Sequence, residues 1–278
     1  HAAFEDARDA WVGAGVGSYA DTVTIALVRR PSSRLAEGIV THISRSTVDV
    51  ALAERQWASY VEALRTFGWQ ICEVPPLESA PDGVFVEDTV VMYGNVAVIT
   101  RPGDDRRKPE VAAVEEVVRD LGCRVEHIIA PGTLDGGDVL KVGNTVYVGV
   151  GGRTNQSGID QLTKHLDPLG ARVVAVPVTK VLHLKSAVTA LPDGTIIGWN
   201  PAVDDQSMFA NYLSMPEESG AHVVVIDDRR LLMAADAPQS TALLQSRGYE
   251  VTCVDISEFE KLEGCVTCLS VRLRHTVA

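Results

Sequence analysis

The chain has 278 residues, 46% hydrophobic and 22% charged, with a formal net charge of −12. That length supports one or two domains with a sizeable core, and the acidity argues against a nucleic-acid binder, which would present a basic face. No stretch reaches the roughly 18 apolar residues of a membrane span, and residues 1–10 carry Glu5, Asp6, Arg8 and Asp9 instead of the basic start and apolar run of a signal peptide.

In chain order, residues 1–21 read as a loose, polar, Gly-rich lead-in. Residues 22–278 contain no Pro- or Ser-rich linker and read as a single domain. Thr22–Val28 predicts a buried strand, and residues 31–45 a loop. Ala51–Phe67 predicts a helix, because Ala53, Trp57, Tyr60, Val61 and Leu64 share one face at helical spacing. Val111–Leu121 predicts a second, and further helices are expected at Ser157–Leu169, Gln206–Tyr212 and Ser240–Gln245.

Strand-like segments follow these helices in a repeated pattern, a glycine with aliphatic residues three and six places later. It starts at Gly68, Gly122, Gly170, Gly220 and Gly248. Hairpins are signalled at Tyr93-Gly94-Asn95, Val142-Gly143-Asn144 and Pro192-Asp193-Gly194. Adjacent antiparallel pairs do not fit a simple doubly wound sheet. The expected fold is therefore α/β, with five pseudo-symmetric ββαβ-type modules around a centre. The fourth copy looks short, its outer strands reduced to Arg230–Ala234, and the first and last strands could complete a circle.

Chemically interesting residues recur just beyond these strands. Asp135 lies 13 residues after Gly122 and His183 lies 13 after Gly170, while Asp88 and Cys268 lie 20 after Gly68 and Gly248. Cys268, in Gly264-Cys265-Val266-Thr267-Cys268, is a candidate nucleophile, and His183 is a candidate acid and base for it. Cys265 and Cys268 also form a Cys-x-x-Cys pair, but the remaining three cysteines are isolated, so a four-ligand zinc site is not expected. Five cysteines, an odd and low count, fit reduced thiols and a cytoplasmic setting. Asp135 and Asp138 bracket Gly136-Gly137, a turn that could also orient His183 or grip a cation. Asp82, Glu87 and Asp88 are carboxylates set among Val-Phe-Val and Thr-Val-Val, where burial would demand a cationic partner. Arg101, the Arg106-Arg107-Lys108 run and Arg153 offer forks for a substrate carboxylate.

Taken together, residues 81–88, 99–108, 133–140, 153–156, 182–186 and 260–270 resemble the dimethylarginine dimethylaminohydrolases of the guanidine-modifying superfamily. The resemblance spans residues 22–274 and implies a five-module α/β propeller with its site at the centre. It implies a Cys268 nucleophile, His183 as acid and base, and Asp135 as its orienter. Asp82, Glu87 and Asp88 would hold the substrate, and Arg153 with either Arg101 or Arg106 would bind its α-carboxylate. Main-chain carbonyls near Ile39 and Leu262 would meet its α-amino group. The implied reaction converts methylated arginine to citrulline and dimethylamine or methylamine through a covalent thiouronium, with no cofactor and no metal. The implied partner is a small cationic guanidino amino acid, not nucleic acid or a membrane, and the implied state is a monomer or homodimer. A related arginine-directed hydrolase or deiminase, or a non-catalytic binding protein on the same fold, are the alternatives. Arginine deiminases and amidinotransferases carry a His-x-Asp motif, and here Lys185 stands at the Asp position. Cys265 lies close enough in sequence to form a local disulfide with Cys268.

Overall fold

The computed structural model describes residues 22–276; the lead-in at 1–21 lies outside them. Fifteen strands among these residues form five three-stranded sheets, each built alike. A hairpin supplies an inner and a middle strand, and a crossover supplies an outer strand parallel to the middle one. The second sheet is β3 (Val90–Tyr93), β4 (Val96–Ile99) and β5 (Arg124–His127), and the third is β6 (Val139–Val142), β7 (Thr145–Val150) and β8 (Arg172–Pro177). The fourth is β9 (Val188–Ala190), β10 (Ile196–Gly198) and β11 (Tyr212–Ser214), and the fifth is β12 (Val223–Val225), β13 (Arg230–Ala234) and β14 (Glu250–Val254). The first sheet is made from both ends of the described chain: β15 (Val271–Thr276) runs antiparallel to β1 (Thr22–Val28), which runs parallel to β2 (Gln70–Glu73).

Four crossovers carry a helix, as parallel pairing requires a long connection: α1 (Val50–Thr66), α2 (Val111–Asp120), α3 (Gln156–Leu166) and α4 (Pro238–Ser246). Asp49 caps α1 by accepting from the Leu52 N–H at 2.9 Å, and Asn155 caps α3 through the Gly158 N–H. Gly68, Gly122, Gly170 and Gly248 lie beyond helical segments with φ of +80° to +94°, a conformation that glycine adopts without a Cβ penalty. This explains why the repeated pattern begins on glycine.

The middle strands are covered on both faces, which is why they read as continuous apolar runs. Their alternation distributes them between two neighbours. Ile25 and Leu27 of β1 pack toward the second module, and Ala26 and Val28 toward the fifth. Leu231 and Met233 of β13 likewise pack toward the fourth, and Leu232 and Ala234 toward the first. Five apolar clusters result, each shared by adjacent modules, and they close the ring.

Two expectations are corrected. Arg230–Ala234 is not the outer part of a short fourth copy: it is the middle strand of the fifth module, and the strand that follows Gly220, β12, is that module's inner strand. The fourth outer strand is Tyr212–Ser214, so the helix expected at Gln206–Tyr212 is reduced to a single 3-10 turn at Gln206–Met208. The apolar spacing there serves packing of Met208, Phe209 and Tyr212 against the fourth module rather than a helix face.

Candidate active site

The inner strands β3, β6, β9, β12 and β15 surround the centre, and the segments entering four of them, all but β12, carry the candidate chemistry. Short 3-10 turns at Val86–Thr89, Gly136–Asp138 and Leu184–Ser186 precede β3, β6 and β9, and the Cys265–Ser270 segment precedes β15. Equivalent positions of different modules thus converge on one point.

There, a small cavity of about 20 Å³ is lined by Cys268, His183, Asp88, Asp82, Arg107, Arg153, Ile39 and Leu262, among others. Cys268 and His183 are both buried. His183 Nε2 lies 3.0 Å from Asp135 Oδ2, and Nδ1 lies 3.8 Å from Asp88 Oδ1. Burial alone would lower the His183 pKa, but Asp88, Asp135 and Asp138 outweigh it and raise it to about 9. The ring is therefore an imidazolium at neutral pH. Asp135 stands behind the ring, accepting also from the Gly103 N–H at 2.8 Å. Asp138, buried beneath, accepts from the Thr154 hydroxyl and the Leu184 N–H, and burial raises its carboxyl to about 6.

Burial would raise Asp88, but His183 and Arg107 hold it well below the usual carboxylate range. Arg107 donates to Asp88 Oδ2 at 2.6 Å and to Glu110 Oε2 at 2.8 Å, all three side chains buried. The Cys268 sulfur lies 3.4 Å from that of Cys265. That hydrogen bond, burial and the nearby Glu87 and Asp88 carboxylates push the Cys268 thiol well above its ordinary range. Cysteine waits as a thiol beside a protonated histidine, and a bound cation would favour its thiolate.

Asp88, Asp135 and His183 place ligating atoms within 4.8 Å of one another, an arrangement that could surround a cation.

Among the residues expected from sequence, Cys268, His183, Asp82, Asp88, Arg153, Ile39 and Leu262 reach the cavity, with Asp135 behind it. Glu87 does not: its carboxylate is held by Lys185 at 2.6 Å and Arg272 at 2.9 Å, facing further along the inner strands. Arg101 donates to the Gly132 carbonyl, and Arg106 is paired at the surface with Asp104 at 2.6 Å. Burial raises the Asp82 pKa, opposed by Arg107, the Ile39 N–H and Arg153 and least by Arg106. Of the Arg106-Arg107-Lys108 run, the residue that lines the cavity beside Arg153 is Arg107, whereas the expectation had singled out Arg101 or Arg106. The i,i+3 pairing of Arg107 with Glu110 on one turn was the available signal.

The arginine deiminase family model matches residues 76–227. A dimethylarginine dimethylaminohydrolase of Streptomyces coelicolor is 64% identical over 249 residues, which cover 90% of this chain and 96% of that protein. The chain belongs to this family. A solved dimethylarginine dimethylaminohydrolase from Pseudomonas aeruginosa, a cysteine-to-serine variant complexed with citrulline, superposes with a TM-score of 0.83 at 35% identity, covering 89% of this chain and 98% of that one. A second solved family structure, a histidine-to-glycine variant bearing an adduct with S-methyl-L-thiocitrulline, gives a TM-score of 0.83 at 34% identity with the same coverage.

Proposed function

We propose that this chain hydrolyses Nω-methylated arginine to citrulline and dimethylamine or methylamine, with residues 22–278 acting as one catalytic domain. The observation that carries the reading is one cavity holding both Cys268 and a His183 charged by its carboxylates. Asp88 and Asp82 supply the negative wall that a guanidinium needs. Arg153 Nη1 is buried with no hydrogen-bond partner among the described residues, a donor suited to the substrate's α-carboxylate. Arg106, free to leave its surface pair, is the second candidate, and the carbonyls of Ile39 and Leu262 suit the α-amino group.

In this scheme the bound guanidinium lowers the cost of the Cys268 thiolate. As the guanidinium binds, the thiol proton leaves to solvent; the thiolate then attacks the guanidinium carbon, and the His183 imidazolium gives its own proton to the methylated nitrogen. The C–N bond breaks, the amine leaves and a thiouronium remains. His183, now neutral, takes a proton from water as the water attacks the same carbon. The C–S bond then breaks, releasing citrulline and restoring the thiol. Splitting one substitution into two steps is the benefit of covalent catalysis. Lys185, bound to Glu87, puts no carboxylate where a second unmethylated nitrogen would be gripped, which leaves room for methyl groups. The thiols fit action in the cytoplasm, as a monomer or homodimer, and no helix among the described residues is long and apolar enough to cross a membrane.

The match to the arginine deiminase model favours one second reading, hydrolysis of unmethylated arginine. Citrulline release from asymmetric dimethylarginine and from arginine, side by side with Cys268→Ser as control, separates them. Release from the methylated substrate alone, lost in the variant, is the expected result. Release from arginine alone overturns the substrate assignment, and turnover by the serine variant overturns the nucleophile.

A further inference from the structure

Each main-chain carbonyl from Cys265 to Cys268 accepts a hydrogen bond. The Cys268 N–H closes the turn on the Cys265 carbonyl at 3.0 Å. The Tyr60 hydroxyl, from α1, donates to the Val266 carbonyl at 2.9 Å. Arg272, the second residue of β15, donates to the Thr267 carbonyl at 3.1 Å, and the Glu87 N–H to the Cys268 carbonyl at 3.2 Å. The segment that carries the nucleophile is turn and irregular chain. No helix or strand ladder fixes it, so its place depends on these donors.

Arg272 joins them to one another. Its Nη1 reaches three acceptors on the segment: the Thr267 carbonyl, the Ser270 carbonyl at 3.0 Å and the Ser270 hydroxyl at 2.8 Å. Its Nη2 donates to Glu87 Oε1 at 2.9 Å. Ser270 Oγ lies 2.7 Å from the Tyr60 oxygen, and since Tyr60 gives its one proton to Val266, Ser270 is the donor in that contact. Lys185, two residues beyond His183, binds the same Glu87 oxygen at 2.6 Å. Glu87 thus meets the cysteine segment through Arg272 and the histidine segment through Lys185, while its neighbour Asp88 lines the catalytic cavity. Arg272 does not line that cavity, so whatever it does for the sulfur it does through the chain.

We propose that Arg272 is a positioning residue for Cys268. Its planar fork holds the segment with one nitrogen and Glu87 with the other, a division that a single ammonium does not reproduce. This fixes the sulfur relative to His183 without contact to substrate, and a displacement of about 1 Å at a reacting atom costs roughly a hundredfold in rate. The proposal rests on Cys268 as the nucleophile of the hydrolase.

The test compares Arg272→Met with wild type in two ways. One is turnover of asymmetric dimethylarginine. The other, without substrate, is alkylation of each cysteine by iodoacetamide, read by mass spectrometry. Cys268 is 7% exposed, and Cys123, 8% exposed in a different apolar cluster, is the internal control. We expect kcat to fall at least tenfold with KM within about twofold. We also expect Cys268 labelling to speed up about fivefold or more while Cys123 labelling stays unchanged, the mark of a local opening. A general loosening of the fold exposes both thiols, so a rise shared by Cys123 overturns the positioning role. So does wild-type kcat, and so does unchanged Cys268 labelling. Should Arg272→Met fail to fold, Arg272→Lys carries the same expectations and the same overturning results, because its ammonium keeps the Glu87 pair and gives up the carbonyls. Absence of turnover in wild type would instead sink the hydrolase reading, and the labelling comparison would still decide whether Arg272 holds Cys268.

Discussion

His183 and Asp135 are joined by a 3.0 Å contact between Nε2 and Oδ2, with Asp135 wholly buried. The pair is assembled from the segments entering two different inner strands, so the histidine's charge depends on correct packing of neighbouring modules.

That contact sets the pH response. His183 titrates near 9 in the fold, above its usual value of 6.5. If the imidazolium donates to the leaving amine, kcat/KM should fall as pH rises through about 9. Asp135→Asn should shift that limb to lower pH and reduce kcat by roughly a hundredfold, the range for a mispositioned acid–base group. A profile from pH 6 to 10 decides it; an unmoved limb in the variant would sink the orienting role. The same raised pKa stabilises the fold fully below about pH 6.5, and this contribution is lost as pH climbs through about 9. Urea midpoints at pH 6 and 10 should show the loss in wild type and a smaller one in His183→Gln.

Arg106 and Arg107 are adjacent yet should behave as opposites. Arg107→Met strands Asp88 and Glu110 in the interior, and breaking a buried pair from one side costs about 3–5 kcal/mol. Arg106→Met removes an exposed pair and should leave the urea midpoint unmoved while raising KM. Equal destabilisation by both would contradict the geometry.

Gly137 is confined for the site's sake. A Cβ placed there would stand 2.6 Å from His183 Nδ1 and 2.7 Å from Asp88 Oδ1. Gly137→Ala should cost about 1–3 kcal/mol of stability and at least tenfold in kcat, because the ring must move. Wild-type kcat in this variant would show that the ring position is not critical.

The loop over the cavity is tied by two carboxylates. Glu263 accepts from the Thr41 and His42 N–H groups at 2.6 and 2.8 Å, and Asp82 accepts from the Ile39 N–H at 3.0 Å. Glu263 itself has φ of 61°, a strained choice for a residue with a Cβ. Glu263→Ala should speed amide hydrogen exchange at Thr41 and His42 by at least tenfold and raise KM. Unchanged exchange would mean that other contacts hold the loop.

Much of this was legible from periodicity. Middle strands are apolar on both faces, helices carry an apolar stripe and glycines mark the helix ends, so the module repeat stands out. The reading failed where local pattern and tertiary use diverge. Gly220 has the right spacing, but its strand pairs as an inner strand, and Tyr212 packs from a strand rather than a helix. In the site, polar residues entering the inner strands were findable because their offsets recur. What spacing could not give was direction: adjacent Glu87 and Asp88 face different cavities, and Arg107 turns inward while Arg106 turns out. Those choices are made by partners distant in sequence, Lys185, Arg272 and His183.

The ladder between β1 and β15 pairs Thr22 with Thr276. Loop closure over nearly the entire described chain must precede that pairing, and such non-local contacts slow folding. Cys268 lies on the segment that leads into β15, so the nucleophile takes its place only when the two ends meet. Refolding followed by catalysis should therefore lag behind refolding followed by helix content: four modules can regain their shape while the protein stays inert, and activity returns with the final, slowest phase.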